Sequence, residues 1–257
     1  MKRAFLYLLI LSISAFAYPI GGPSISPEKG KFIGSILYTR DARNIRGLRI
    51  HSNRLLARIC YGVSYWLDIY PLLGTTDMNF PPASSYISEF NGSWELAYGG
   101  GLRIHYLDWV LRTQTPQYVR SYVNLFYFTY LSRDTVSEGH MRYWKVKYEM
   151  REYGIGVYWG YQWHSFIFYG GGEYTYLNGR VWWEAYSSRW TQIFKSSSFF
   201  NDPAQTPRPI LGLDILFPIN LVLTLELRPW YNKDKVAFTV SLSQKGALRK
   251  STPETEK

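Results

Sequence analysis

The chain has 257 residues, of which 46% are hydrophobic, 18% aromatic and 19% charged, with a formal charge of +10 and a mean hydropathy of −0.21. That aromatic content excludes a disordered chain, and a single cysteine excludes a disulfide scaffold or a cysteine-built metal cluster. Beyond the N-terminus, no stretch approaches the ~18–20 apolar residues of a membrane-spanning helix.

Lys2 and Arg3 precede an apolar run from Ala4 to Ile13, and Ala15-Phe16-Ala17 forms a small-residue cleavage site. Residues 1–17 therefore predict an export signal cut before Tyr18. Its removal leaves 27 cations against 19 anions, a charge of +8. An exported chain almost free of cysteine fits a bacterial envelope. Residues 18–30, rich in Pro, Gly and Ser, predict an exposed lead-in.

Segments 31–40 and 53–62 predict two strands joined by a polar connection at 41–52, with Arg40, Arg43, Arg46, Arg49 and Arg54 crowded in and around it. Guanidinium groups bind phosphate through paired hydrogen bonds. Arg40, Arg43, Arg46 and Arg49 are therefore candidate contacts for lipopolysaccharide phosphates. The alternative is a solvated loop, or arginines turned inward to meet carboxylates. A tight turn at 63–65 leads to a strand at 66–76, and a longer polar loop at 77–92 follows.

In the next strand, 93–106, Trp94, Leu96, Tyr98, Leu102, Ile104 and Tyr106 alternate with polar and small residues. Strands at 117–131, 141–161 and 165–186 follow, with connections at 107–116, 132–140 and 162–164. Segment 141–161 changes phase near Arg151 and Glu152, which predicts a β-bulge. Asn178-Gly179 carries the signal of a hairpin turn. A bulge or kink in a long hairpin standing above the membrane is preferred there, because a turn would make the strand count odd. After a polar loop at 187–207, strands at 208–216, 220–231 and 235–244 complete the set. The clearest is the second, where Leu221, Leu223, Leu225 and Leu227 share one face. Strict period two is incompatible with a helical stripe. Residues 245–257 predict a disordered tail.

Short and long connections alternate along most of the chain, as in an antiparallel up-and-down transmembrane β-barrel with turns at one rim and loops at the other. Ten strands over 31–244 is the expectation, with eight or twelve open. An even count puts both chain ends on the short-turn side, the periplasmic side in bacterial barrels. Sandwich and membrane barrel share the period but differ in which face points inward. Trp and Tyr recur near strand ends, as aromatic girdles require. The polar row mixes signs and predicts a lumen charge network of Arg58, Asp68, Glu95, Arg103, Lys145, Lys147, Glu149, Glu173, Asp214, Glu226 and Arg228. Glycine runs at 99–101 and 170–172 suit tightly curved sheet.

The hairpin Ala57-Arg58-Ile59-Cys60-Tyr61-Gly62-Val63-Ser64-Tyr65-Trp66-Leu67-Asp68-Ile69-Tyr70, with the signal segment and the alternating strands, resembles small bacterial outer-membrane β-barrel proteins, the OmpA/OmpX/OmpW-like group in the broad sense. The resemblance implies a Gram-negative outer-membrane location and a chain delivered by the outer-membrane assembly machinery. The assembly signal of such barrels usually ends the chain on an aromatic residue. Here a polar tail, Lys245 to Lys257, follows the last strand.

Catalytic constellations are weak. His164-Ser165 with Glu173 is similar to the His/Ser/Glu set of lipid A deacylases, but neighbouring strand residues point to opposite faces. Omptin-type proteases use an Asp pair and a separate Asp-His pair. Here there is no Asp-x-Asp, and the nearest His–Asp set is His105 with Asp108, at the periplasmic rim. No His/Asp/Glu spacing suits a metal, no glycine run has the setting of a phosphate loop, and no cofactor or nucleic acid is implied. A barrel of this size is just wide enough to fill with side chains. Tyr122, Phe126 and Trp230 add bulk to the predicted lumen. The expectation is a plugged, non-enzymatic barrel with a structural or surface-interaction role through its outer loops near 77–92 and 187–207. A narrow porin-like channel or small-ligand carrier is the alternative, and an enzyme acting on lipid A or peptides comes last.

Overall fold

The computed structural model describes residues 26–45, 48–81, 89–111, 117–138, 142–187, 189, 191–203, 208–228 and 237–244. The predicted signal at 1–17 and tail at 245–257 lie outside them, as does Trp230. The strands are β1 Phe32–Ile45, β2 Leu48–Gly62, β3 Leu67–Thr76, β4 Asn79–Phe80, β5 Phe90–Asn91, β6 Glu95–Leu111, β7 Gln117–Glu138, β8 Arg142–Trp163, β9 Phe166–Ser187, β10 Gln192–Pro203, β11 Arg208–Leu216, β12 Leu221–Arg228 and β13 Ala237–Gln244. All belong to one antiparallel sheet, and no helix occurs among the described residues.

Pairing runs β1, β2, β3, β6, β7, β8, β9, β11, β12, β13 and back to β1, a closed ring through ten strands. Successive strands are neighbours, so the chain passes up and down around the ring. β10 pairs with the far half of β9 and ends opposite Tyr176, and β11 begins opposite Glu173. The two therefore lie in line beside β9. β4 and β5 pair with each other, and β4 meets β2 at His51. One end of the ring carries short turns at Val63–Trp66, His164–Ser165 and Phe217–Asn220. His164 and Asn220 there adopt the left-handed φ values of 53° and 59° that tight turns demand. At the other end β7, β8 and β9, each 22 residues long, project well past β6 and β11, with β10 running beside the far half of β9.

The closed sheet has its polarity inside out. Arg54, Arg58, Asp68, Glu152, Glu173, Asp214, Glu226 and Arg228 are buried in the lumen. Ile36, Leu73, Ile59 and Leu211 on the outer wall are 63%, 58%, 54% and 59% exposed. A sandwich would place these two sets the other way round.

The structure corrects several expectations from the sequence. β8 keeps unbroken register with β7 from Arg142 to Gln162 and with β9 from Arg142 to Trp163, so there is no bulge near Arg151. The apparent phase change has another cause. From Trp163 to Tyr153 the outward residues of β8 are largely aromatic and aliphatic, and from Arg151 to Lys145 they are charged. The inward row changes in the opposite sense, from Tyr158 and Glu152 to Met150, Tyr148 and Val146. The surroundings invert while the strand continues. β9 likewise runs straight through Asn178-Gly179, which pair with Arg151 and Met150, with neither turn nor bulge. The predicted connections at 41–52 and 132–140 are mostly strand, because the β1–β2 and β7–β8 ladders continue to Ile45↔Leu48 and Glu138↔Arg142.

Gly101 faces the lumen where a Cβ would strike the Leu125 carbonyl oxygen and the Tyr70 ring. Gly101→Val is expected to abolish the compact, heat-modifiable form on a gel. Gly34→Ala, with nothing within 4 Å of the added carbon, should leave it intact.

Candidate functional site

The lumen is filled in layers. Nearest the long-strand end, Arg54 of β2 bonds Glu152 of β8 through Nη2 (2.8 Å) and Nη1 (3.3 Å), with Asp41 of β1 3.4 Å from Nη2. Its guanidinium carbon lies 5.2 Å from the ring centres of both Phe128 and Tyr130. Charge, hydrogen bonding and cation–π contact converge on one buried cation.

The middle layer has a basic and an acidic side. On one, Arg58 and Arg103 each lie 5.6 Å from the ring of Tyr70, whose hydroxyl donates to Asn124 at 2.7 Å. Arg103 also faces Tyr122, which stacks on Tyr158 at 4.7 Å. On the other, Tyr158 donates to Glu173, Tyr169 donates to Glu226 at 3.1 Å, and Arg228 pairs with Glu226 at 2.5 Å. Thr224 donates to Asp214 at 2.6 Å. Among the described residues no carboxylate lies within 4.0 Å of Arg58, and its Nε is buried without a hydrogen-bond partner.

At the short-turn end, Asp68 accepts from Ser26 at 2.5 Å and lies 2.7 Å from His105 Nε2. The predicted exposed lead-in is therefore corrected at its end. Ser26 and Pro27 are buried, and Gly30 donates to the Gly62 carbonyl at 2.7 Å, which ties the segment beneath the lumen. Serine, histidine and aspartate meet here, but both partners spend their bonds on the same Asp68 oxygen. A nucleophilic triad needs the histidine on the serine. His105 finds Asp68 rather than Asp108, whose side chain lies outside the described residues.

The opposite mouth is covered. Met78, Phe80 and Phe90 are buried, with Phe80 and Phe90 at 4.9 and 5.1 Å from the ring of Tyr148. This part of the predicted outward loop 77–92 folds inward instead, because its apolar residues fill the space behind the projecting strands.

Of the predicted lumen network, Arg58, Asp68, Arg103, Glu173, Asp214, Glu226 and Arg228 line the interior. Tyr122 and Phe126 are buried there too. Glu95 sits at the rim, 3.5 Å from Arg133. Lys145, Lys147 and Glu149 are corrected to the outer face, because without a bulge their alternation continues that of Tyr153 and Ile155. Arg54, Asp41, Glu152 and His105 were missed. Arg54 falls in the predicted strand 53–62, where parity with Arg58 puts it inside, and it takes the inward-turned alternative given for the arginine cluster. Arg40 is exposed on β1, and the side chains of Arg43, Arg46 and Arg49 lie outside the described residues. His164 sits exposed in its turn with Ser165. No group of three metal-ligating side chains occurs among the described residues.

No family profile matches the sequence, and no curated relative matches it. Among solved structures the chain is similar to an outer membrane channel from Pseudomonas putida F1, at 11% identity over 88% of this chain and 99% of that one, with a TM-score of 0.35. It is also similar to the outer membrane protease OmpT from Escherichia coli, at 10% identity over 88% and 96%, with a TM-score of 0.39.

Arg54→Met removes the guanidinium that faces two buried carboxylates and should cost about 3–5 kcal/mol. The check is the urea midpoint of the folded protein. Adding Asp41→Asn and Glu152→Gln should recover most of the loss, and further destabilisation would show that the layer holds the ring by something other than charge compensation.

Proposed function

We propose that the protein is an integral β-barrel of a bacterial outer membrane, closed by its own side chains, with a structural or surface-interaction role rather than that of a porin or an enzyme. The observation that carries this reading is the inversion of polarity along β8. A strand wet on one face throughout has no reason to exchange its faces halfway. A strand that leaves lipid for water does. At the crossing, Tyr127, Tyr153 and Tyr176 stand side by side on β7, β8 and β9, with ring centres 5.1 and 6.3 Å apart. They form the row expected at a membrane interface. Trp163, Tyr161 and Phe166 mark the other edge. The ten steps from Tyr153 to Trp163 cover about 33 Å of strand, or about 25 Å of height at a tilt of ~40°, the height of the apolar band of such barrels.

In this orientation the short turns, the start of β1 and the end of β13 lie on the periplasmic side. The projecting strands stand outside the cell. Outer-membrane lipid, lipopolysaccharide and the outer-membrane assembly machinery are the partners this reading entails. The stacked Tyr122 and Tyr158, the Arg54 layer and the β4–β5 cover support a closed lumen. Arg58, with no carboxylate beside it, favours the second reading, a narrow anion-selective path.

Leu73→Arg tests the main reading. In lipid it should cost about 2–4 kcal/mol near the midplane, whereas on a wet surface it would stay within about 0.5 kcal/mol. The protein should fractionate with outer membrane and change gel mobility on heating, and a soluble periplasmic product would overturn the reading. In planar bilayers the wild type should show no stable openings, and steady anion-selective steps would favour the channel.

A further inference from the structure

The outer wall of β7, β8 and β9 carries two depressions, one above the other. The lower is a groove of about 490 Å³ lined by Leu102, Leu125, Tyr127, Ile155, Tyr174 and neighbouring glycines, with Tyr153 and Tyr176 at its upper edge. It exists because Gly100, which shares the outward parity of Tyr98 and Leu102, puts no side chain into the wall there. It lies in the apolar band immediately below the tyrosine row. The upper is a polar cleft of about 660 Å³ that includes Arg133, Lys147, Trp182, Glu184 and Lys195. It belongs to the same face, because Lys147 is opposite Trp182 as Tyr153 is opposite Tyr176.

The cations of this upper surface are not equivalent. Arg133, Arg151 and Lys195 each hold a carboxylate, Glu95 at 3.5 Å, Glu149 at 2.6 Å and Glu184 at 2.6 Å. Lys147 and Arg180 hold none among the described residues. Both lie 4.8 Å from the ring of Trp182, Arg180 lies as close to Phe199, and the Arg180 Nε is buried without a hydrogen-bond partner. Aromatic rings thus fix two cations in place and leave their charge unneutralised.

We propose that this wall is a binding site for a phosphorylated glycolipid of the outer leaflet, with acyl chain in the glycine-floored groove and headgroup phosphate on Lys147 and Arg180. The inference rests on the barrel reading above. Height selects the lipid class. Arg180 is four residues above Tyr176 and Lys147 six above Tyr153, which sets the cations about 10–15 Å above the tyrosine row at a strand tilt of ~40°. The phosphate of a glycerophospholipid sits next to its acyl–glycerol junction and falls short. A headgroup built of phosphorylated sugars reaches. Guanidinium and ammonium together suit a phosphate, the first through paired hydrogen bonds and the second as a point charge.

The test uses the full-length protein in detergent micelles, titrated with lipopolysaccharide carrying a phosphorylated core, the same material after chemical dephosphorylation, and phosphatidylglycerol. Wild type should bind the first at least about tenfold more tightly than the other two, a difference on the scale of one charge-assisted contact. Lys147→Ala/Arg180→Ala should lose about tenfold toward the phosphorylated form alone. Lys147→Arg/Arg180→Lys should retain it, and heat-modifiable mobility should be unchanged in both. Equal affinity of the alanine variant and the wild type, or equal affinity for phosphatidylglycerol, would overturn the site. If the protein proves soluble and unchanged by heating, the barrel reading falls and the site with it. If it is membrane-inserted and heat-modifiable yet indifferent to phosphate, only the site falls.

Discussion

A chain that crosses lipid must satisfy every backbone N–H and C=O from within, because no water is there to take the bond. On the reading proposed above, this protein, with no helix among its described residues, meets that demand by closing its sheet. The seam between β1 and β13 is therefore the pairing on which the rest depends. It runs from Ser35↔Ser243 to Arg40↔Phe238, joining residues some two hundred positions apart. Hydroxyl pairs reinforce it on the inner side, Ser243 donating to Ser35 at 2.9 Å and Thr39 meeting Thr239 at 3.0 Å. An open edge would leave a row of polar backbone groups facing hydrocarbon.

Closure then dictates the interior. Ten strands enclose a space that side chains can fill, and the inward rows fill it with groups that find partners on their own strand, on adjacent strands and on more distant ones. Arg54 reaches Glu152 on the far wall, and Tyr70 reaches Asn124. Buried charges of this kind add little net stability, since desolvation offsets most of the attraction. Their effect is on register. A shift of one residue in β2 or β12 would send an arginine to the outer wall and a leucine against a carboxylate.

The alternation of Leu221 to Leu227 made strand, period and turn positions legible, because alternation is a local property of the sequence. The turns at 63–66 and 217–220 were legible for the same reason. Non-local matters were not. The pattern around Arg151 is the same for a bulge in a strand of constant surroundings and for a straight strand whose surroundings change. Only the register of β8 against β7 and β9 separates the two, and it moved Lys145, Lys147 and Glu149 from inside to outside. Arg54 was grouped with the arginines of the neighbouring connection, although it falls in the predicted strand 53–62, because their charge pattern runs on across the strand's start. Asp68 and His105 are 37 residues apart and meet only once the ring has formed. One missed signal was present in the sequence, since Met78, Phe80 and Phe90 are large apolar residues in a stretch otherwise polar enough to pass for a loop.

The extension of β7, β8 and β9 follows from the same constraint applied one step further out. Beyond the tyrosine row the outer wall is charged, and on the proposed reading it faces water there, so the inner wall becomes the place left for apolar side chains. Four adjacent strands, β10 beside the far half of β9 included, stand above one side of the ring and cannot bury that inner face against each other. Val136, Val146, Tyr148 and Met150 would lie bare unless another segment covered them, and Phe80 and Phe90 do so. The cover that closes the mouth is thus a consequence of projecting the strands, not an independent plug. With the lumen occupied by this cover at one end and by Ser26 at the other, the outer wall and the projecting strands are, among the described residues, the surfaces left to meet a partner.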